Sequence, residues 1–438
     1  MLGNASLFEI LQHPAYRRLF AAQVVSLLGT GLASVALGLL VFELGGADAG
    51  MILGTVLAIK IIAYVTIAPV AEALLGNLPR RTVLVSLDLV RTGFALALPF
   101  VTEIWQIYLL IFLLQAASAG FTPLFQATIP DLLKDEEAYT KALSLSRLVY
   151  DLETLLSPVL ATLLLAVVTW QGLYAGTVCG FLASAALVCT VSLPFSTKTQ
   201  LPFQKRVTRG MQIYLATPRL QGGLILHGAV AVAGAMVFVN TVVLVQGHFG
   251  LTEQDTALTL AAFGVGSILV ALVSPKLLEK FSERSVMLLG SLILVISLGI
   301  STGIEEWREF LPVWTLLGSG YSMIHIPMGR LLRRSAHTED RPALFAAHFS
   351  LSHACWLIAY PTVGWLGAML ELSLTFGILA VGCLLGCVLA WRVWPKIDPI
   401  DLEHRHDDLS SDHPHLSGTQ VHVHPYVIDD LHPQWPGR

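Results

Sequence analysis

The chain has 438 residues, 55% hydrophobic and only 13% charged, with a formal charge of −4 and a mean hydropathy of +0.70. A soluble domain carries about 25% charged residues, so this composition excludes an ordinary water-soluble protein. The five cysteines lie in apolar segments and form no Cys-x-x-Cys pair, which excludes a disulfide framework.

Twelve apolar stretches follow one another at 18–43, 50–75, 82–102, 105–130, 143–168, 170–193, 221–246, 256–280, 285–303, 310–331, 343–368 and 372–394. A helix needs ~20 mostly apolar residues to cross ~30 Å of hydrocarbon. The runs are continuous and do not alternate with period two, so they predict helices and not a barrel. The fold class is therefore an all-α membrane protein of twelve transmembrane helices. Arg17 and Arg18 precede a first span too long for the apolar core of a cleavable signal.

Lysine and arginine set the orientation. Alternating the faces at each span puts 23 of the 26 on one side. Arg308 stands alone on the other, and Lys60 and Arg91 fall inside spans. Both termini are then expected in the cytoplasm, in a cell (inner) membrane. The chain divides into six spans over 1–193, a basic central loop over 194–220, six more spans over 221–394, and a tail over 395–438. Within the loop, Arg209 to Gln221 mixes charge with Met211, Ile213, Tyr214 and Leu215, which suits either a short interfacial helix or a plain linker. A faint internal repeat links the halves: Asp135-Glu136-Glu137 leads to Ser144-Leu145-Ser146 and Pro158, as Glu339-Asp340-Arg341 leads to Ser350-Leu351-Ser352 and Pro361.

Pro14-Ala15-Tyr16-Arg17-Arg18-Leu19-Phe20, Ser26-Leu27-Leu28-Gly29-Thr30-Gly31, and PRRTVLVSLDLVR over 79–91 join this six-plus-six pattern. Together they resemble the major facilitator superfamily, and within it the drug:proton antiporter-3 branch of macrolide and siderophore exporters. The resemblance implies two six-helix bundles and a gate of paired charges at the loop after the second span. It places Arg80, Arg81, Asp88 and Arg91 at that gate. The loop departs from the family pattern: it reads EALLGNLPRR from Glu72, with Gly76 and Asn77 where an acidic and a basic residue are expected. Glu72 is a candidate for the missing negative charge.

Ionisable residues at mid-membrane are costly and are functional candidates by default. Arg147, Asp151 and Glu153 lie in the fifth span, and Lys60 lies at similar depth in the second. Arg147 and Asp151 are four apart and share a helix face, whereas Glu153 points elsewhere. Two readings stand: Asp151 or Glu153 carries a coupling proton, or both sit in static pairs, Asp151 with Arg147 and Glu153 with Lys60. Asp88 and Arg91, three apart, suit a structural pair. His348 and His353 in the eleventh span are either metal ligands or hydrogen-bonded packing residues. His227 and His325 are expected at the interface. Gln23, Gln115, Gln126 and Asn240 suit either a cavity lining or interhelical hydrogen bonds.

Beyond Pro395 the composition changes. Three His-x-His pairs, His404/His406, His413/His415 and His422/His424, recur every nine residues, and His432 follows. The low apolar content predicts disorder. Imidazoles at this density suit Ni, Co or Zn. Such a tail resembles that of nickel-resistance exporters of the superfamily, which implies capture of metal before export. Asp151, Glu153 and His353 could then form a weak transit site.

No phosphate-binding loop, catalytic triad or cofactor fingerprint is present, so neither an ATP-driven pump nor an enzyme is expected. The expectation is a proton-coupled secondary exporter of a drug-like molecule or a divalent metal ion. The alternatives are a nickel/cobalt efflux permease with a metal-capturing tail and a non-transporting metal sensor. The partners are the lipid bilayer, the cargo and protons, with no nucleic acid and no resident cofactor apart from metal at the tail.

Overall fold

The computed structural model describes residues 7–193, 201–398, 401–405, 414–416 and 421–436. The first half comprises α1 (Pro14–Gly45), α2 (Ala49–Leu75), α3 (Arg80–Ala97), α4 (Ile104–Leu132), α5 (Glu136–Leu165) and α6 (Trp170–Cys189). A shorter helix, α7 (Phe203–Ala216), lies in the central loop. The second half comprises α8 (Pro218–Val242), α9 (Glu253–Lys280), α10 (Glu283–Ser301), α11 (Trp307–Arg334), α12 (Arg341–Met369) and α13 (Leu372–Val393). In the tail, β1 (Asp401–Arg405) pairs antiparallel with β2 (Val421–Pro425), with His404 opposite His422.

Side chains stop the helices fraying where the chain re-enters the membrane. Asp135 accepts from the Ala138 N–H at the start of α5, Thr252 and Asp255 form a reciprocal cap on α9, and Ser282 caps α10. Ten of the long helices are apolar enough to cross a bilayer, and α5 makes an eleventh if its two bent segments count as one span. The remaining long helix, α11, carries Arg308 and Glu309 at one end and Arg330, Arg333 and Arg334 at the other. Large apolar residues such as Leu57, Leu163, Leu269 and Leu385 are exposed on the outside, as suits a surface turned to lipid.

Small residues let the helices approach. A Cβ added at Gly266 of α9 would collide with the Thr315 carbonyl of α11, and one added at Gly318 would collide with the Phe263 carbonyl. This reciprocal close crossing is how membrane helices pack without a hydrophobic drive between them. The halves meet where α2 and α4 face α12, and where α5 faces α9 and α11. An apolar cluster crosses that seam, joining Phe125, Ile129 and Tyr139 to Val270, Leu278 and Ile326.

Of the two readings of the segment after Pro202, the structure has the helix and not the plain linker, with one face packed inward and the other exposed. Gly210 sits against the Ala343 backbone, and Ile213 and Tyr214 are fully buried. The described part of the tail is ordered and not disordered. Its own apolar content is too low for a core, but it docks on the second half, where Tyr426 and Ile428 join the core that contains Ile213 and Trp394.

Gly266→Val should cost ~1–3 kcal/mol or more through overpacking, read as a lower thermal midpoint of the purified chain. Gly228→Val should leave the midpoint nearly unchanged, because a Cβ at Gly228 meets nothing within 4 Å.

Candidate functional site: a charged seam and a histidine cluster

At mid-depth in the seam, Arg147 of α5 forms a buried ion pair with Asp151, one turn along the same helix. The Arg147 Nε also donates to Asp151 Oδ2 over 3.1 Å. The pair does not stay within its own half. The Ser267 hydroxyl of α9 donates to Asp151 Oδ2 over 2.6 Å, and Ser267 in turn contacts the Ser322 hydroxyl of α11. The guanidinium lies 4.9 Å from the centre of the Tyr321 ring, also on α11. The carboxylate thus accepts from both halves of the chain at once.

Glu153 faces away from Asp151, with its carboxylate near Gly31 of α1. Among the described residues no ion pair joins it to Lys60, whose ammonium stands 5.8 Å from the Tyr64 ring. His353 is held on the seam: its Nδ1–H donates to the Phe349 carbonyl over 2.7 Å, and its ring meets Tyr64 of α2 edge-on. Asp151, Glu153 and His353 are therefore not gathered into one ligand set. Gln23 bonds Ser146 and Gln115 accepts from Tyr64, so both bridge helices, and the Asn240 amide donates to the Val363 carbonyl.

Ion pairs close the basic face. Arg80, 3% exposed, pairs at 2.6 Å with Asp131 at the end of α4. Asp131 also pairs with Arg341 of α12, so one carboxylate ties both halves. Asp131, and not Glu72, is the acid paired with Arg80. Arg330 pairs with Glu136 across the seam and with Glu283 at 2.8 Å. The Tyr139 hydroxyl donates to the Gly329 carbonyl. Arg81 is exposed. Asp88 and Arg91 form a buried pair within the first half, where Ser184 donates to Asp88 and Arg91 lies over Phe121 and Phe181. That is a packing arrangement among α3, α4 and α6 of the first half.

The tail holds the second site. The ligand nitrogens of His404, His415, His424 and His432 all lie within 4.8 Å of one another. His404 Nε2 stands 3.0 Å from His432 Nε2, and His424 Nε2 stands 3.3 Å from His415 Nε2. Tetrahedral coordination with bonds of ~2.0–2.1 Å requires ligand separations of roughly 3.3 Å. Three of the four rings are turned by their other nitrogen: Nδ1–H of His404 donates to the Leu402 carbonyl, that of His424 to the Pro425 carbonyl, and that of His432 to the Asp429 carboxylate. This outer shell is the one that metal-binding histidines use to present Nε2. The residues present therefore fit a divalent transition metal. His406 and His413 lie outside the described residues, and His422 is placed by its backbone in β2.

The tail is fastened beneath the second half. Asp398 pairs with Arg219 at 3.0 Å and with Arg334, and Arg219 lies over the Trp435 ring. His337, in the turn before α12, meets Asp429 at 3.3 Å, and Arg209 of α7 pairs with Asp340 and Asp430 at 3.0 Å. The hydrogen bond to Asp429 raises the His337 pKa against the opposing effect of burial. Burial works against the charge of Asp429, but hydrogen bonds from His337 and His432 outweigh it and hold its pKa well below the usual carboxylate range.

The profile of the Major Facilitator Superfamily matches residues 19–243 and 224–409. The chain belongs to this superfamily. It is a multi-pass membrane transporter and not an enzyme. It is 23% identical over 395 residues to macrolide efflux protein A of Streptococcus pyogenes, covering 87% of this chain and 95% of that one. It is also 23% identical over 384 residues to the uncharacterised transporter YfiS of Bacillus subtilis, covering 84% and 89%. Among solved structures it is similar to the human organic anion transporter MFSD10 (TM-score 0.74, 12% identity, 86% of this chain and 98% of that one). A bacterial homologue of the iron transporter ferroportin, in its outward-facing state, gives TM-score 0.67 and 16% identity over 86% of this chain and 98% of that one. These likenesses establish the two-bundle fold.

Removing one partner of a buried pair strands the other charge. Asp151→Asn should therefore destabilise the purified chain by ~3–5 kcal/mol, and adding Arg147→Gln should restore most of the loss. Additive losses in a double-mutant cycle would show that the two residues do not act as a pair.

Proposed function

We propose that this transporter exports a divalent transition-metal ion in exchange for protons, and that its tail captures the ion at the cytoplasmic face. The observation that carries the reading is the convergence of four imidazoles in a tail docked at the mouth of the second half. An unbound or merely polar tail has no need of three separately anchored rings. Imidazole nitrogen selects borderline ions such as Ni, Co, Zn or Cu over Mg and Ca. The positive-inside bias supports placing the basic face, the tail and both termini in the cytoplasm of the cell (inner) membrane. Closure of that face by Asp131, Arg330 and Arg341 corresponds to one end state of alternating access. Asp151 is the proton carrier this reading favours, because its charge holds the seam and its protonation would loosen it.

A second reading, export of an amphipathic drug-like molecule, is favoured by the macrolide efflux relatives. Cells preloaded with nickel or cobalt separate the two. A transporter of metal should lower cell metal, and His404→Ala with His415→Ala, His424→Ala and His432→Ala should slow efflux at low cytoplasmic metal more than at high. Substitution is the right test, since stopping the chain after Lys396 also removes the Asp398 anchor. Resistance to a macrolide without any metal efflux would overturn the metal reading and support the drug reading.

A further inference from the structure

Three histidines, two of them expected at the interface, are brought together inside the second half. His227 of α8, 2% exposed, meets His325 of α11 and His348 of α12 edge-on, with ring centres 4.9 Å away in each case. The His227 Nδ1 lies 2.9 Å from the Gly223 carbonyl. A carbonyl only accepts, so Nδ1 carries the proton and Nε2 presents its lone pair. That Nε2 is buried with no hydrogen-bond partner among the described residues, and so is the Nε2 of His325. Leaving a buried polar atom unsatisfied costs ~1–3 kcal/mol, and a phenylalanine would fill either place without that cost. Two buried ring nitrogens without a protein partner, on imidazoles packed against one another, call for a ligand.

We propose that His227, His325 and His348 form a transit site for a borderline divalent cation within the membrane, a proposal that rests on the metal-export reading. Counting ~1.5 Å per residue from the basic-face ends of their helices puts them at matching depths of roughly 10–14 Å. No carboxylate belongs to the set, which disfavours hard ions that want oxygen ligands. Among the described residues only the tail quartet has its ligand atoms within 4.8 Å, so the membrane set is the more open of the two. That difference suits their tasks, because a capture site holds its ion while a transit site must let it go. The two sites are joined by α7, which reaches the tail through Arg209 and Asp430 and reaches His348 through the Tyr214 hydroxyl at 3.1 Å from Nδ1. On the other side, the Tyr321 ring stands 4.4 Å from His325 and carries Arg147 on its face. Protonating Asp151 would leave the Arg147 charge unopposed beside this site and favour release of the cation.

Cobalt(II) alone is the probe. The full chain with all seven tail histidines changed to alanine is reconstituted in lipid nanodiscs and titrated, with bound metal counted by dialysis and its ligand-field absorption recorded. The expected result is one bound cobalt with nitrogen-ligand bands. His227→Ala or His325→Phe should weaken its affinity by roughly tenfold or more, and His248→Ala, an exposed control, should not. Thermal midpoints identify a variant that has failed to fold, and substitutions on two different helices keep the test open if one does. Absence of cobalt binding in the tail-free background, or binding indifferent to His227→Ala and His325→Phe, would overturn the site. Cobalt bound here without metal efflux by the unaltered chain would uphold the site and defeat the export reading. Metal efflux unchanged by both substitutions would do the reverse.

Discussion

The arrangement turns on one buried contact, the Arg147–Asp151 pair and its hydroxyl partners across the seam. Within α5 it is an ordinary one-turn ion pair. Its consequence comes from Ser267, Ser322 and Tyr321, which belong to the other half. Two charges withdrawn from water are stable only while every lone pair and N–H finds a partner. The halves supply those partners jointly, so the charge state of one carboxylate bears on how they sit against each other. The ion pairs of Arg341 with Asp131 and of Arg330 with Glu136 at the basic face join the halves in the same sense.

The tail has a place in this scheme because it is built onto the second half. Asp398 clamps Arg219 at the start of α8 and Arg334 at the end of α11, while Asp429 and Asp430 reach the turn before α12 and α7. A metal that fixes His432 also fixes Asp429, since one side chain turns the other. Events at the imidazole quartet are thus mechanically connected to the helices that hold His227, His325 and His348.

Much of this was legible in the sequence. Continuous apolar runs gave the helices, the one-sided lysine and arginine gave their alternation, and the four-residue spacing gave the pair in α5. The nine-residue rhythm of the tail marked its histidines, although the structure gathers one histidine from each pair with His432. What escaped depended on distant partners. Asp131 looks like a residue at a helix end, and only the fold brings it to Arg80 and Arg341. His227, His325 and His348 come from three helices, and no local pattern relates them. Composition alone predicts a disordered tail, because it leaves out the apolar and charged surface that the second half offers.

The central claim is that metal movement and proton movement share Asp151. The most direct test reconstitutes the purified chain in proteoliposomes carrying a trapped pH dye and imposes a gradient of nickel. The account predicts a counterflow of protons that depends on nickel and is lost in the Arg147→Gln/Asp151→Asn double variant, while that variant keeps its fold. Nickel movement without proton counterflow, or counterflow that survives the double substitution, would contradict it.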